Sequence, residues 1–132
     1  MEIAQTYEYT IYAMISMALL MFFQVIVADV VGIRTKHTPG AAVQSDHNDL
    51  LFRVDRTVSN TNESIAIFIL AIIICILSNA PANYTCYAAW AFVISRSVYT
   101  VFYYGNLKAL RSVMFAVSML SLASLLVIAV AA

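Results

Sequence analysis

Four long apolar stretches, separated by short polar segments, set the pattern of this chain. They cover about residues 10–33, 52–78, 84–104 and 107–131. A helix needs about 20 apolar residues to cross the hydrocarbon core of a bilayer, and each stretch meets that length. The apolar positions run without a break, as in Ile65–Leu77, rather than alternating with polar ones. That pattern favours helices over strands and predicts four transmembrane helices.

The three connections between these stretches favour an up-down-up-down bundle. The first, residues 34–51, is polar and contains the turn dipeptide Pro39-Gly40. The second and third, residues 79–83 and 105–106, are tight turns. Short links join antiparallel neighbours. We therefore predict that residues 1–132 form a single all-α domain with four transmembrane helices.

The composition supports a membrane protein. Hydrophobic residues make up 63% of the chain and charged residues only 11%, against roughly 25% charged in an ordinary soluble domain. So few polar side chains would not cover the surface of a small soluble protein, and we expect contact with membrane lipid. The net charge of zero gives no electrostatic case for nucleic-acid binding. His37 and His47 stand apart without cysteine or a paired acid, and no metal site is predicted.

Basic residues mark one side of the predicted bundle. They lie at or near the first and third connections, at Arg34, Lys36, Arg53, Arg56, Lys108 and Arg111. In a four-span bundle these two connections share a side, and the positive-inside rule makes that side cytoplasmic. The expected location is a bacterial inner membrane or the endoplasmic reticulum, as a multi-pass protein.

Two charged residues lie deeper than the topology requires. The second apolar stretch is short enough that Glu63 falls at or inside the membrane edge, and Arg96 lies about 12 Å along the third helix from its end. Charges at such depth are costly, need partners and by default mark a functional site. Glu63 and Arg96 are candidates to pair with each other.

Helical spacing brings the polar residues together at one end of the bundle. At about 100° per residue, the polar residues of the second predicted helix form one stripe, and those of the third form another. The residues concerned are Arg53, Arg56, Asn60 and Glu63 on the second helix, Arg96, Tyr99 and Tyr103 on the third, Lys108, Arg111 and Ser112 on the fourth, and Arg34 where the first ends. This arrangement predicts a cationic pocket open to the cytoplasm, with one acid at its floor.

Such a pocket suits an anionic ligand that also carries an amine. Arginine side chains bind carboxylates through paired hydrogen bonds, and Glu63 is available for an ammonium group. Glutathione has two carboxylates, an α-amine and a thiol. A guanidinium beside that thiol would stabilise the thiolate, which is the nucleophile. Apolar walls opening to lipid would suit a hydrophobic electrophile as the second substrate.

The same residues resemble the signature of a known family. Arg53-x2-Arg56-x3-Asn60-x2-Glu63, then Arg96-x2-Tyr99-x3-Tyr103-x-Gly105, then Arg111-Ser112, are together similar to the MAPEG family (membrane-associated proteins in eicosanoid and glutathione metabolism). The likeness covers nearly the whole chain and is nearest to the microsomal glutathione transferase and prostaglandin E synthase branch. It implies a homotrimer of four-helix bundles, with glutathione bound between neighbouring subunits on the cytosolic side.

The resemblance also implies individual roles. The residues that it makes contacts of glutathione are Arg34, Arg56, Asn60, Glu63 and Tyr103, with Arg53 as a weaker candidate at the mouth. The stripe on the third helix adds Arg96 and Tyr99 as expected contacts. Arg111 is expected to stabilise the thiolate, and Ser112 to be a second partner of the sulfur. Tyr99 stands where the prostaglandin branch has a histidine, and Phe115 where it has a tyrosine. These departures argue against prostaglandin H2 as the substrate and leave glutathione binding unaffected.

The predicted function is that of a membrane-embedded glutathione transferase or peroxidase acting on a hydrophobic electrophile, and isomerase activity would begin with the same thiolate. One alternative is a small proton-coupled exporter with Glu63 as its acid. Such a carrier needs a lone carboxylate at the membrane centre, whereas Glu63 lies near one end among arginines that would repel a cation. A second alternative is a non-catalytic membrane subunit, which would gain nothing from deep charges.

Overall fold

The chain folds into helices joined by short connections. The structure, a computed structural model, describes residues 2–132, within which five helices form. They are α1 (Glu2–Thr6), α2 (Glu8–Arg34), α3 (Leu50–Leu77), α4 (Ala82–Tyr104) and α5 (Lys108–Ala131). The prediction of an all-α protein is confirmed. Helices α2 to α5 correspond to the four apolar stretches and begin or end a few residues away from the expected positions.

Local chemistry explains where the helices begin and end. The Asp49 side chain accepts a hydrogen bond of 3.0 Å from the backbone N–H of Leu51 and so caps the first turn of α3. Just beyond the ends of α3 and α4, Asn79 and Asn106 adopt left-handed backbone conformations, with φ of 54° and 58°. Asparagine tolerates this conformation better than most residues. The turns therefore reverse the chain within a few residues.

Helices α3 and α4 form the centre of the bundle. Each packs against the other, and both contact α2 and α5, which lie on either side of the central pair. The most extensive packing is between α4 and α5, which have the shortest connection among the four long helices. The middle of the bundle is filled by apolar side chains, among which the rings of Phe68 and Phe92 stack with centroids 4.6 Å apart.

Long-range hydrogen bonds fix which helix ends lie together. At one end, the Tyr7 hydroxyl donates to the carbonyl of Ala80 at 2.6 Å, and the Trp90 Nε1–H donates to the carbonyl of Tyr9 at 3.0 Å. The start of α2, the end of α3 and the start of α4 therefore meet there. At the opposite end, α3 begins beside the end of α4, as expected for antiparallel neighbours.

The outer surface of the bundle is strongly apolar. Large hydrophobic side chains are exposed along all four long helices, including Phe22, Leu70, Ile94 and Leu120. Single exposed apolar residues are ordinary in soluble proteins, but a belt of this extent is typical of a surface that faces lipid or another subunit. This surface agrees with an integral membrane protein.

Three helices, rather than the four predicted, are long and apolar enough to be candidate membrane spans on length and composition. They are α2, α3 and α5. Helix α4 has 23 residues, or roughly 35 Å at about 1.5 Å per residue. Its polar residues lower its hydropathy, and several of them, including Thr85, Ser95, Arg96 and Thr100, are buried inside the bundle. The difference therefore arises because α4 places polar groups at its inner face.

Candidate functional site

The polar residues singled out from the sequence meet where α3 begins and α4 ends. At the centre is Arg96 of α4, of which only 1% is exposed. Its Nη1 donates to Asn60 Oδ1, and its Nη2 donates to Ser64 Oγ at 3.0 Å, both on α3. Asn60 and Ser64 are one helical turn apart, so their side chains lie on the same face of α3. Asn60, one residue of the stripe predicted on α3, therefore contacts Arg96 of the stripe predicted on α4.

The expected ion pair between Arg96 and Glu63 does not form. Glu63 instead lies 3.8 Å from Arg56, measured from Oε1 to Nη1, and the partners of Arg96 are neutral. The reason is the direction of the side chains on α3. Asn60 and Ser64 face α4, whereas Glu63 is exposed on the outer side of the helix, and an amide and a hydroxyl reach Arg96 first.

Aromatic rings enclose the rest of the Arg96 guanidinium. Its Cζ lies 5.4 Å from the ring centroid of Phe92 and 5.5 Å from those of Tyr99 and Phe115. These distances fall in the range of cation–π attraction, which partly compensates a buried cation. The Arg96 Nε has no hydrogen-bond partner within the described residues. The guanidinium is thus rigidly held, and its positive charge is not neutralised by a carboxylate within hydrogen-bonding distance.

Arg56 and Glu63 face away from the core of the single chain. Their side chains are 38% and 63% exposed, respectively, although both belong to a helix that is a candidate membrane span. An exposed ion pair is worth little in water, and exposing charges toward lipid is costly. These two residues therefore suit a surface that is covered by something polar, such as a ligand or a neighbouring subunit.

A second guanidinium lies against the tyrosines of α4. The Arg111 Cζ is 4.4 Å from the ring centroid of Tyr103, and the Tyr103 ring packs edge-on against Tyr99 with centroids 5.4 Å apart. The Nη1 of Arg111 is buried and has no hydrogen-bond partner in residues 2–132. Leaving such a charged donor unsatisfied costs free energy. Arg111 therefore offers a donor to an anion at this position.

His47, in the α2–α3 connection, also contacts this group. Its Nε2 lies 3.1 Å from the Tyr103 hydroxyl, and its ring packs edge-on against Phe52. Partial burial lowers the pKa of the His47 imidazole below its usual 6.5, and the nearby positive charges of Arg111 and Lys108 act in the same direction. The imidazole is therefore held neutral near pH 7.

Arg53 has a different environment from the other predicted contacts. Its Nε donates to the carbonyl of Tyr104 at 3.1 Å, and its Nη1 donates to the carbonyl of His47 at 2.8 Å. One guanidinium thus ties the start of α3 to the end of α4 and to the connection before it. These bonds occupy two of its five N–H donors, so Arg53 mainly supports the site.

Two predicted residues are not joined to the cluster within a single chain. Arg34 is exposed at the end of α2 and forms no hydrogen bond or ion pair among the described residues. Ser112 is also exposed, and its hydroxyl donates to the carbonyl of Lys108 in its own helix at 3.0 Å. Ser112 follows Arg111 directly and so points about 100° away from it around α5.

Two residues of the cluster were not predicted from the sequence. Ser64 is four positions after Asn60, a spacing that places it on the same helix face, so the helical stripe contained a signal for it. His47 gave no such signal. It lies in a connection without periodicity, and its only sequence interpretation concerned metal binding. Its position follows from the path of the chain between α2 and α3.

The cluster as a whole favours anions. The guanidinium groups of Arg96 and Arg111 lie against the rings of Tyr99 and Tyr103, and these two rings contact each other. Among the described residues, the ion pair between Arg56 and Glu63 is the one salt bridge that forms. Fixed cations that outnumber the neighbouring carboxylates can hold a multiply charged anion and stabilise negative charge that develops on it.

Comparison with known proteins agrees with the pattern of residues. The MAPEG family model matches residues 9–131, which is nearly the whole chain and includes every residue of the cluster. None of the curated proteins compared with the chain matches it. The chain that matches this family is all-helical, has an apolar surface and carries a polar cluster at one end of the bundle. The chain therefore belongs to the MAPEG family, membrane-integral proteins of glutathione and eicosanoid metabolism.

Proposed function

We propose that this protein is a membrane-embedded, glutathione-dependent enzyme that activates the glutathione thiolate against a hydrophobic electrophile. The observation that carries the proposal is the excess of guanidinium groups at one end of the bundle. Arg96 and Arg111 lie against the contacting rings of Tyr99 and Tyr103. Arg56 is on the neighbouring helix, where Glu63 forms an ion pair with it. Glutathione, with two carboxylates and one amine, has complementary charges.

The proposal gives the residues distinct tasks. Arg56 and Arg34 would hold carboxylates, Glu63 would hold the α-ammonium group, and Asn60, with Arg96 behind it, would fix the peptide. Tyr99 and Tyr103 would form the wall of the site. Arg53, bound to two carbonyls, would support this wall and contact the ligand least. This division follows from the exposure of Arg56 and Glu63 and the burial of Arg96.

Arg111 would act on the sulfur. A thiol near its usual pKa of about 8.5 is mostly protonated at pH 7, and a nearby guanidinium shifts the equilibrium toward the thiolate. The unpartnered Nη1 of Arg111 is such a donor. The thiol proton would pass to solvent, the thiolate would attack the electrophile and form the new bond to sulfur, and any leaving group would depart with the bonding electrons. Ser112 would contribute a weaker donor.

The assembly we propose is a homotrimer with sites between subunits. Arg56 and Glu63 are exposed in the single chain, and Arg34 and Ser112 do not reach the cluster. A neighbouring copy would cover these residues and enclose the ligand. Helix α4 would be the fourth membrane span, with residues 1–132 forming one transmembrane domain. The basic ends of the helices would place the site on the cytoplasmic side.

The direct test is to measure glutathione binding to the protein in detergent. Two readouts are used, calorimetry and the absorbance of the thiolate at about 240 nm. Loss of one partner from a charged hydrogen bond costs about 1.5–3 kcal/mol, so Arg56→Ala and Glu63→Gln should each weaken binding about 10- to 100-fold. Glu8→Gln is the matched control, because Glu8 is exposed at the opposite end of the bundle. Equal affinity in all three variants would refute the proposed site.

A further inference from the structure

His47 has an unusual position for a residue in a connection between helices. Its backbone carbonyl accepts from Arg53, its Nε2 contacts the Tyr103 hydroxyl, and its ring packs against Phe52. The imidazole is therefore fixed from both its backbone and its side chain beside the proposed glutathione site. His37, the other histidine of this connection, bonds instead to the carbonyl of Ala41 within its own loop.

Every element around His47 brings a polar or charged group toward it. These groups are Asp46 from the connection, Arg53 and Arg56 from α3, Tyr103 from α4, and Lys108 and Arg111 from α5. Cations outnumber the single carboxylate among them. In the free protein this balance opposes adding a proton to the imidazole. An anion bound beside Arg56 and Arg111 would offset part of this positive charge and so favour the protonated imidazole.

We propose that His47 is the proton acceptor coupled to ligand binding, so that an anion bound beside Tyr103 and Arg111 draws one proton from solvent onto the imidazole. This inference rests on the proposed function, since it takes the ligand to be the anionic peptide. A protonated imidazole donates from both nitrogens. Its Nε2–H would then donate to the Tyr103 oxygen and leave the Tyr103 hydroxyl hydrogen free to bond the ligand. His47 thus acts as a positioning residue through Tyr103.

The sign of the pH dependence follows from linkage. In the free protein the His47 pKa is lowered from 6.5 by burial and by the adjacent cations, and the bound anion raises it. At a pH between the His47 pKa of the free protein and that of the ligand-bound protein, binding of the anion is accompanied by proton uptake. The affinity for the anion therefore rises as the pH falls. Above the higher value and below the lower one, the affinity does not depend on His47. The gain is up to about tenfold for each unit by which the anion raises the pKa.

The experiment uses an S-alkylated glutathione, because this thioether has no thiol proton that could confuse the measurement. Binding to the full-length protein is measured by calorimetry at about pH 6, where histidine titrates, in two buffers of different ionisation enthalpy. The difference in apparent enthalpy gives the number of protons taken up. The wild-type protein should take up a measurable fraction of one proton, and its affinity should fall severalfold between about pH 6 and pH 8.

Two matched variants identify the residue that takes up the proton. His47→Gln keeps a polar group that can bond Tyr103 but does not titrate, and it should bind the probe without proton uptake and with a flat pH profile. His37→Gln should behave like the wild-type protein. Uptake that persists in His47→Gln, or wild-type binding without uptake, would overturn the role of His47 while leaving glutathione binding intact. If the wild-type protein fails to bind the probe or glutathione at any pH, the proposed function falls, and the role of His47 with it.

Discussion

At the scale of single residues, the most informative feature is a buried cation with neutral partners. Arg96 is enclosed by Asn60, Ser64 and three aromatic rings, without a carboxylate in its first contacts. Removing a guanidinium from water costs several kcal/mol unless hydrogen bonds or charges compensate. Arg96 thus keeps a positive potential at the inner side of the site, and an anionic ligand would complete the compensation.

The role proposed for Arg111 predicts a loss of turnover rather than of binding. In Arg111→Ala, the carboxylates and amine of glutathione keep their partners, and only the sulfur loses one. If the bound thiol pKa rises by about two units, the thiolate fraction near neutral pH falls by up to about a hundredfold. Rates with a dinitrohalobenzene should therefore fall most at about pH 6 to 7 and recover as the pH approaches about 9.

Substitution of Arg111 by lysine tests whether a positive charge alone supports turnover. Arg111→Lys restores a charge without the planar fork and should recover part of the rate. Lys108→Ala removes a nearby exposed cation and should change the profile little. A rate loss in Arg111→Ala that is the same at every pH, or a loss of affinity in place of turnover, would exclude Arg111 as the partner of the thiolate.

Helical periodicity predicted part of the grouping of residues on each face. It grouped Arg96 with Tyr99 on one helix, but it placed Asn60 on one stripe with Glu63, which is exposed on the outer side of α3. It did not predict that Arg96 bonds Asn60 and Ser64 instead of Glu63, because that choice depends on the rotation of α3 against α4. Loops have no such period, so the contact between His47 and Tyr103 could not be predicted.

At the scale of elements, the side chain of Arg53 joins the α2–α3 connection to the end of α4. Arg53 bonds the carbonyl of His47 in this connection and that of Tyr104 at the end of α4. The connection contains few other long-range bonds, apart from the contact between His47 and Tyr103. The shape of this end of the site therefore depends on Arg53, even though Arg53 is the weakest candidate for ligand contact.

Arg53→Ala should loosen this connection. A hydrogen bond to a charged group is worth about 1.5–3 kcal/mol, and partial exposure reduces that value, so amide exchange in residues 35–49 should quicken about tenfold. Arg53→Lys can reach one carbonyl at a time and should give an intermediate rate. Lys36→Ala, in the same connection but exposed, serves as the control. Unchanged exchange in Arg53→Ala would show that the connection is held by other contacts.

Element prediction from the sequence was accurate for the four long helices. The apolar stretches predicted helices α2 to α5 to within a few residues. The separate turn of α1 was not predicted, since nothing in the pattern marks Thr6 as the residue where α1 ends. That α4 is the fourth membrane span stays a prediction, because the polar groups on its inner face lower its hydropathy.

At the scale of the whole molecule, the arrangement leaves polar groups of α3 exposed beside an apolar belt. Arg56 and Glu63 interrupt a surface that is otherwise suited to lipid. Helix order along the chain did not predict that α3 and α4 form the centre, because several packings of an up-and-down bundle are compatible with the same stripes. Only the three-dimensional packing shows which polar groups are left without cover.

A homotrimer is expected for the solubilised protein. Native mass spectrometry should show three copies, and the Arg56→Ala variant should retain that state while losing glutathione, because apolar contacts hold subunits together in membranes better than one exposed charge does. Ile69→Ala changes an exposed apolar position of the same helix and leaves the charges of the site unchanged. It is the variant with which the oligomeric state and glutathione binding of Arg56→Ala are compared. A stable monomer that binds glutathione as tightly as the oligomer would contradict an intersubunit site.

The hydrogen bond between Trp90 and the Tyr9 carbonyl has a practical consequence for measurements. Trp90 is the one tryptophan of the sequence, and its bond lies at the end of the bundle opposite the arginine cluster. Its emission spectrum therefore reports separation of α2 from α4, not events beside Arg111. Thermal unfolding followed by this intrinsic fluorophore gives a stability signal for every variant of the site, free of direct quenching by ligand.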